Sequence, residues 1–132
     1  MRTQVAIVPC PDYNQTAVDE AVRRSVDLIG GIGRFIRPGD KVLLKPNLVM
    51  KKRPEEAVTT HPAVVDAVTR LAQSAGGVVT IGDSPGGPYT RWMLDQVYRA
   101  SGMTQVAERT GARLNEDLNE VTVEYPDARI AR

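Results

Sequence analysis

Two periods of apolar spacing alternate along this chain, one suited to strands and one suited to helices. Residues 4–8 (QVAIV) are short, rich in β-branched side chains and closed by Pro9 and Pro11, which predicts a first strand. Thr16 with Asp19 three positions on resembles a capping box. Val18, Val22, Val26 and Ile29 then fall on one helical face until Gly30 and Gly31 end the run. The turn Pro38-Gly39-Asp40 leads into residues 41–45 (KVLLK), apolar on both faces as a buried parallel strand is. His61-Pro62 opens a second helix, because proline suits the first turn, where its missing N–H would be unpaired anyway. Val64, Val68, Leu71 and Ala75 are its expected buried stripe, and Gly76-Gly77 closes it. Residues 78–81 (VVTI) form the next strand. Residues 90–101 form a third helix with Met93, Val97 and Ala100 inward and Gly102 as its stop. A short helix reaching Gly111 and a brief strand over residues 112–114 come next. The alternation Val121, Val123, Tyr125 then predicts a half-buried strand, and Arg129-Ile130 is strand-like again.

This succession predicts an α/β fold: a three-layer, Rossmann-like, mostly parallel sheet with flanking helices and right-handed crossovers. A length of 132 residues fits one domain, residues 1–132. The pattern stops after a strand-like pair without a closing helix, so the expected domain is incomplete, the N-terminal part of a longer chain.

Charge and composition narrow the function classes. Seventeen basic residues face sixteen acidic ones, and Lys51-Lys52-Arg53 is too short a basic block to make nucleic acid a main partner. The N-terminus is too polar for a signal peptide, and no apolar run approaches the roughly 20 residues that span a bilayer. The sequence therefore reads as cytoplasmic, with no membrane partner. Cys10 is the only cysteine, which rules out an internal disulfide. It also rules out a 4Fe–4S cluster within these residues, since such a cluster takes about four ligands.

Open α/β sheets bind ligands outside the carboxyl ends of their strands. Three polar clusters fall there: Lys45-Pro46-Asn47, Thr59-Thr60-His61 and residues 83–87 (DSPGG). The last contains G-x-S-x-G, the pattern of a nucleophilic serine. That pattern needs an N–H on the next residue as oxyanion donor, and Pro85 has none. The loss of one such donor costs about 3 kcal/mol of transition-state stabilisation. His61 also precedes Ser84 rather than following it. Gly82 and Gly87 have the spacing of a Walker loop, but Pro88-Tyr89 stands where Lys-Ser/Thr is required. Gly30-Gly31-Ile32-Gly33 follows a helix rather than a strand, so it terminates that helix and is no dinucleotide loop.

A looser reading survives. Gly86 and Gly87 let backbone approach a ligand closely, and Lys45 brings a cation from the neighbouring strand end, together a site for an anionic small molecule. The plain alternative is a Pro-Gly turn in which Ser84 or Asp83 bonds the local backbone. Lys45 either binds a carboxylate or phosphate, acts as a base if desolvated, or pairs with Asp83. His61 is either a helix cap, or an acid/base group or metal ligand at the same edge, working with Asp83. One histidine and one carboxylate are a weak metal signal, since a tight site usually takes three or four protein ligands. The candidate catalytic set is His61, Asp83 and Lys45, and the candidate ligand-binding set is Lys45, Asn47, Thr60, Ser84, Gly86 and Gly87, with no metal ligand. Asn47 has a second reading as a turn former. Cys10 is a loop thiol on the same rim, and Tyr89, Trp92 and Tyr98 are packing residues.

Residues 42–49 (VLLKPNLV), 59–68 (TTHPAVVDAV) and 79–87 (VTIGDSPGG) together resemble the family called domain of unknown function 362. The resemblance covers nearly the whole chain, and it implies that Lys45, Asn47, Thr60, His61, Asp83, Ser84 and Gly86 are signature positions. Members of that family are usually longer. Many carry a ferredoxin-like module with a cysteine-rich 4Fe–4S motif, and are named iron–sulfur cluster-binding proteins for it. This chain lacks those cysteines, so the implied cluster belongs to a missing C-terminal part. The implied function is that of an iron–sulfur-associated protein, with redox-linked chemistry at an anionic small-molecule site. Its partners would be a ferredoxin-like module or another electron-transfer protein. A non-catalytic docking domain for such a module is the alternative. A metal-dependent racemase- or isomerase-like enzyme is a further one, on fold analogy alone. Whether the chain is an enzyme stays open.

Overall fold

A computed structural model describes residues 3–119 and 121–123. Three strands, β1 (Lys41–Leu44), β2 (Val78–Ile81) and β3 (Arg113–Leu114), form a sheet in that spatial order, parallel throughout. Lys41 lies beside Val78 and Leu44 beside Ile81, so β1 and β2 end level with each other. Helix α1 (Gln15–Asp27) precedes the sheet, and α2 (Pro62–Ser74) crosses from β1 to β2. The pair α3 (Arg91–Ala100) and α4 (Met103–Thr110) crosses from β2 to β3. The chain is an α/β domain with a parallel sheet.

Alternation along the strands divides the sheet into two faces. Val42, Leu44, Val79, Ile81 and Leu114 join the main core, which α2, α3 and α4 complete through Val65, Leu94, Tyr98 and Met103. The opposite face carries Lys41, Leu43, Val78, Thr80 and Arg113 along an open groove of about 300 Å³. There Leu43 is 64% exposed and Val78 53%. Among the described residues, helices therefore cover one face only. The remaining helix, α1, packs on α2 instead of on the sheet, with Val18 buried beside Ala63 and Ala67.

Several elements differ from the expectation. Residues 4–8 form no strand, and Val5 and Ile7 are 79% and 87% exposed. Their alternation supplies strand propensity, but no neighbouring strand edge meets them. Residues 121–123 are likewise outside any strand, while Tyr125, Arg129 and Ile130 lie outside the described residues. Helix α1 starts before Thr16: Asn14 Oδ1 accepts from the Thr16 N–H at 3.1 Å, and Asp19 accepts from the Gln15 side chain. In α2 the fully buried positions include Ala63, Val65, Ala67, Thr69 and Ala72, whereas Val64, Val68, Leu71 and Ala75 are half-buried. This helix is sandwiched between the sheet and α1, so two flanks are buried and the expected single stripe lies at the seams. In α3, Leu94 and Tyr98 join Val97 inside, while Met93 and Ala100 are half-buried.

Asp66 ties the helical layer together. Its carboxylate is fully buried and accepts from Arg70 Nε at 2.5 Å and Arg109 Nε at 3.0 Å, joining α2 to α4. A buried carboxylate persists only when it is paired in this way.

Candidate functional site

Because β1 and β2 end level, the residues after them meet. Lys45 Nζ lies 2.6 Å from Asp83 Oδ1, with the lysine side chain 68% exposed and the aspartate side chain 5%. Asp83 Oδ2 accepts the backbone N–H of Leu48 at 2.8 Å. Burial pushes the Asp83 carboxyl up, but Lys45 and the N–H groups of Leu48 and Ser84 outweigh it and hold the group below the usual carboxylate range. Asp83 is therefore a fixed anion that anchors both the lysine and the loop after β1. The sequence reading in which Lys45 pairs with Asp83 is realised.

That loop is fastened at two further points. Asn47 and Thr60 exchange bonds, the Asn47 N–H donating to Thr60 Oγ1 at 2.8 Å and the Thr60 N–H to the Asn47 carbonyl at 2.9 Å. Thr60 thus holds the start of α2 against the end of β1. The Gly86 N–H donates to the Val49 carbonyl at 2.6 Å, drawing the glycine turn onto the same loop. Val49 has φ of 48°, an uncommon conformation for a β-branched residue, kept here by bonds on both sides. Gly82 is confined differently: a Cβ there would lie 2.7 Å from Asn115 Cβ, so only glycine lets the β2 end approach the chain after β3.

His61 is the N-cap of α2. Its Nδ1 accepts the Ala63 N–H at 3.2 Å, and its ring stacks on Tyr13 with centroids 3.8 Å apart and planes 13° from parallel. Burial lowers its pKa, with Glu55 opposing weakly. The cap role is realised, and it fixes the tautomer: Nδ1 accepts, so Nε2 carries the proton. Nothing bonds His61 to Asp83 among the described residues. Their proposed cooperation has no direct contact behind it.

Beside Lys45 the surface sinks into a cleft of about 190 Å³. Leu44, Pro46, Val64 and Val68 supply apolar walls, and Lys45 and Thr60 are its polar members. The half-buried Val64 and Val68 of α2 find their place here. The structure thus unites Lys45, Asn47, Thr60 and Asp83 at one edge and brings Gly86 to it through Val49. Ser84 and Gly87 are exposed on the adjoining turn, where Gly87 has φ of +101°. Asn47 is exposed, but its backbone is what the contacts use.

One participant escaped the sequence reading. Tyr13 gave no signal, since a tyrosine in a loop has no pattern that points to a distant histidine. The Thr59 hydroxyl, one residue from the clamp, is buried without a hydrogen-bond partner. Cys10 and Tyr13 line a separate groove against α1, with the Cys10 thiol donating to the Asp12 carbonyl at 3.2 Å. Tyr98 is a packing residue as expected, buried with its hydroxyl donating to the Asn115 carbonyl at 2.7 Å. Burial, with the neighbouring Tyr89 second, pushes its pKa up to about 12.

The residues present do not fit an iron–sulfur cluster. The chain has one cysteine, and no group of three or more His, Cys, Asp or Glu side chains among the described residues has metal-ligand spacing. No helix among them is long and apolar enough to cross a membrane.

A family model described as a domain of unknown function, DUF362, matches residues 42–132. The thylakoid-associated protein of Synechocystis sp. is 41% identical over 85 residues, which are 64% of this chain and 26% of that protein. The chain thus spans about a quarter of the length of that relative. No solved structure matches the chain.

Proposed function

The chain belongs to the DUF362 family, and on that premise we propose that it binds a small organic anion at the carboxyl edge of β1 and β2. One observation carries this reading: an exposed ammonium, Lys45, is pinned by a buried carboxylate at the mouth of a mostly apolar cleft. Asp83 occupies one of the ammonium's three N–H donors and leaves two for a ligand. A carboxylate or phosphate at Lys45 places its carbon chain against Val64 and Val68. The N–H of Gly86 is engaged by Val49, so Gly87 is the backbone donor open to a ligand. His61, with its proton on Nε2, is the proton-transfer group, and Asp83, held ionised, positions Lys45 rather than moving protons.

The redox-linked part of this reading draws on the family resemblance. Its electrons would come from a ferredoxin-like module or another electron-transfer partner that supplies the cluster, because Cys10 alone holds none. A cytoplasmic location belongs to the same reading. The thylakoid association in the relative's name is its competitor, and cell fractionation separates the two. The binding claim is tested by titrating isotope-labelled protein with butyrate and, separately, inorganic phosphate. Saturable amide shifts at residues 45–49, 60–61 and 82–87 are expected, and a Lys45→Ala variant should lose them. The absence of saturable shifts with either anion contradicts the reading.

The docking alternative has one observation in its favour, the bare sheet face with Leu43 and Val78 exposed. It places a ferredoxin-like module on that face. Leu43→Glu would then abolish binding of the module while leaving the anion titration unchanged.

A further inference from the structure

Pro62, which opens α2, also contributes to a second cleft, of about 310 Å³, that shares no residue with the rim. Three guanidinium groups from three separate segments line it: Arg53 before the turn at Pro54–Glu56, Arg99 in the last turn of α3, and Arg109 in the last turn of α4. One carboxylate, Glu55, lines it as well, so the lining side chains carry three positive charges against one negative.

The partners of these arginines leave donors unused. Asp95 takes the Nε of Arg99 at 2.9 Å, which leaves both terminal nitrogens. Asp66 takes Nε and Nη2 of Arg109 at 3.0 Å, which leaves Nη1. Arg53 forms no ion pair among the described residues. In the same cleft lies Gly102, the N-cap of α4, which offers no side chain to the first N–H groups of that helix. Gln105, one turn further on, adds a neutral donor.

We propose that this arginine-lined cleft is a second anion site, distinct from the rim, that takes a diphosphate or other multiply charged phosphate group. Planar guanidinium groups match phosphate oxygens two bonds at a time, and several held apart on a rigid scaffold favour a ligand with several charged oxygens. Asp95 and Asp66 hold Arg99 and Arg109 in place before any ligand arrives, which lowers the ordering cost of binding. Glu55 offsets part of the positive charge of the cleft and weakens its attraction for any anion.

The test is an amide-shift titration of the whole chain with inorganic pyrophosphate. Saturable shifts are expected at residues 102–105 and at Arg53. Arg53→Ala and Arg99→Ala should each weaken binding about tenfold, the scale of one charge-assisted hydrogen bond. Glu55→Gln should tighten it, and Lys45→Ala should leave the shifts at residues 102–105 unchanged. Arg109 is left intact because it also pairs with the buried Asp66. Non-saturable shifts, shifts confined to residues 45–49 and 82–87, or an affinity indifferent to the Arg53→Ala/Arg99→Ala double substitution would overturn the proposal. Melting curves of each variant without pyrophosphate separate lost binding from lost folding.

Discussion

Lys45 and Asp83, 38 positions apart, close a 2.6 Å ion pair across the ends of two parallel strands, and the second carboxylate oxygen of the same aspartate holds the Leu48 N–H. The lysine is mostly solvent-exposed, so its own contribution to stability is small. The aspartate is buried and holds Lys45 together with the N–H groups of Leu48 and Ser84. Lys45→Ala should therefore cost at most about 1 kcal/mol. Asp83→Ala, which orphans the Leu48 N–H, should cost about 1–3 kcal/mol. Urea melts at pH 7 give both values.

Acid should act through the same carboxylate. Its folded pKa lies below the unfolded value of about 3.9, so its stabilisation is complete above that value and disappears as pH falls through the folded one. The stability gap between the protein and its Asp83→Asn variant should be constant from about pH 5 upward and shrink below about pH 4. Chemical denaturation across that range checks it.

His61 should produce a second, higher pH dependence. Its folded pKa is lowered, so the fold prefers the neutral ring. That preference is fully expressed above the unfolded value of about 6.5 and is lost as pH falls below it. Protonation also removes the Nδ1 lone pair that accepts the Ala63 N–H. His61→Asn, which keeps a cap but cannot titrate, should flatten stability between about pH 5 and 7. His61→Ala should cost about 1 kcal/mol at pH 7.5 through the lost cap.

Asp66 should be the most sensitive polar position in the helical layer. Asp66→Ala removes the common partner of Arg70 and Arg109, both half in solvent, and should cost about 1–3 kcal/mol. Arg70→Ala should cost far less, since Arg109 still pairs with the carboxylate and Arg70 is half in solvent. Thermal melts of the two variants compare them directly.

Gly82→Ala should destabilise by about 1–3 kcal/mol through overpacking, because the added methyl meets Asn115 Cβ at 2.7 Å. Gly87→Ala is the contrasting case. Its site has open space, and the penalty comes only from φ of +101°.

Much of the frame was legible because glycine and proline punctuate it. The run KVLLK has an apolar centre, VVTI is β-branched, each is bounded by turns, and both are strands at the expected places. His61-Pro62 announced the start of α2, and the histidine is its cap. The shared edge was legible too, since strand ends in a parallel sheet lie together. Residues 4–8 misled because alternation reports propensity and says nothing of a partner edge. The stripe on α2 misled because periodicity identifies one apolar face, whereas α1 buries a second. The stack of Tyr13 on His61, the clamp of Asn47 on Thr60 and the paired arginines of Asp66 depend on contacts between distant segments. No local pattern encodes them.

The central claim is that Lys45, held in place by Asp83, binds a small organic anion through its remaining N–H donors. Calorimetric titration of butyrate into three proteins measures it most directly: the unaltered chain, Lys45→Ala and Asp83→Asn. The expected order of affinity places the unaltered chain first, then Asp83→Asn, whose lysine is no longer pinned at the mouth of the cleft, with Lys45→Ala showing no saturable heat. Equal affinities for all three would contradict the account.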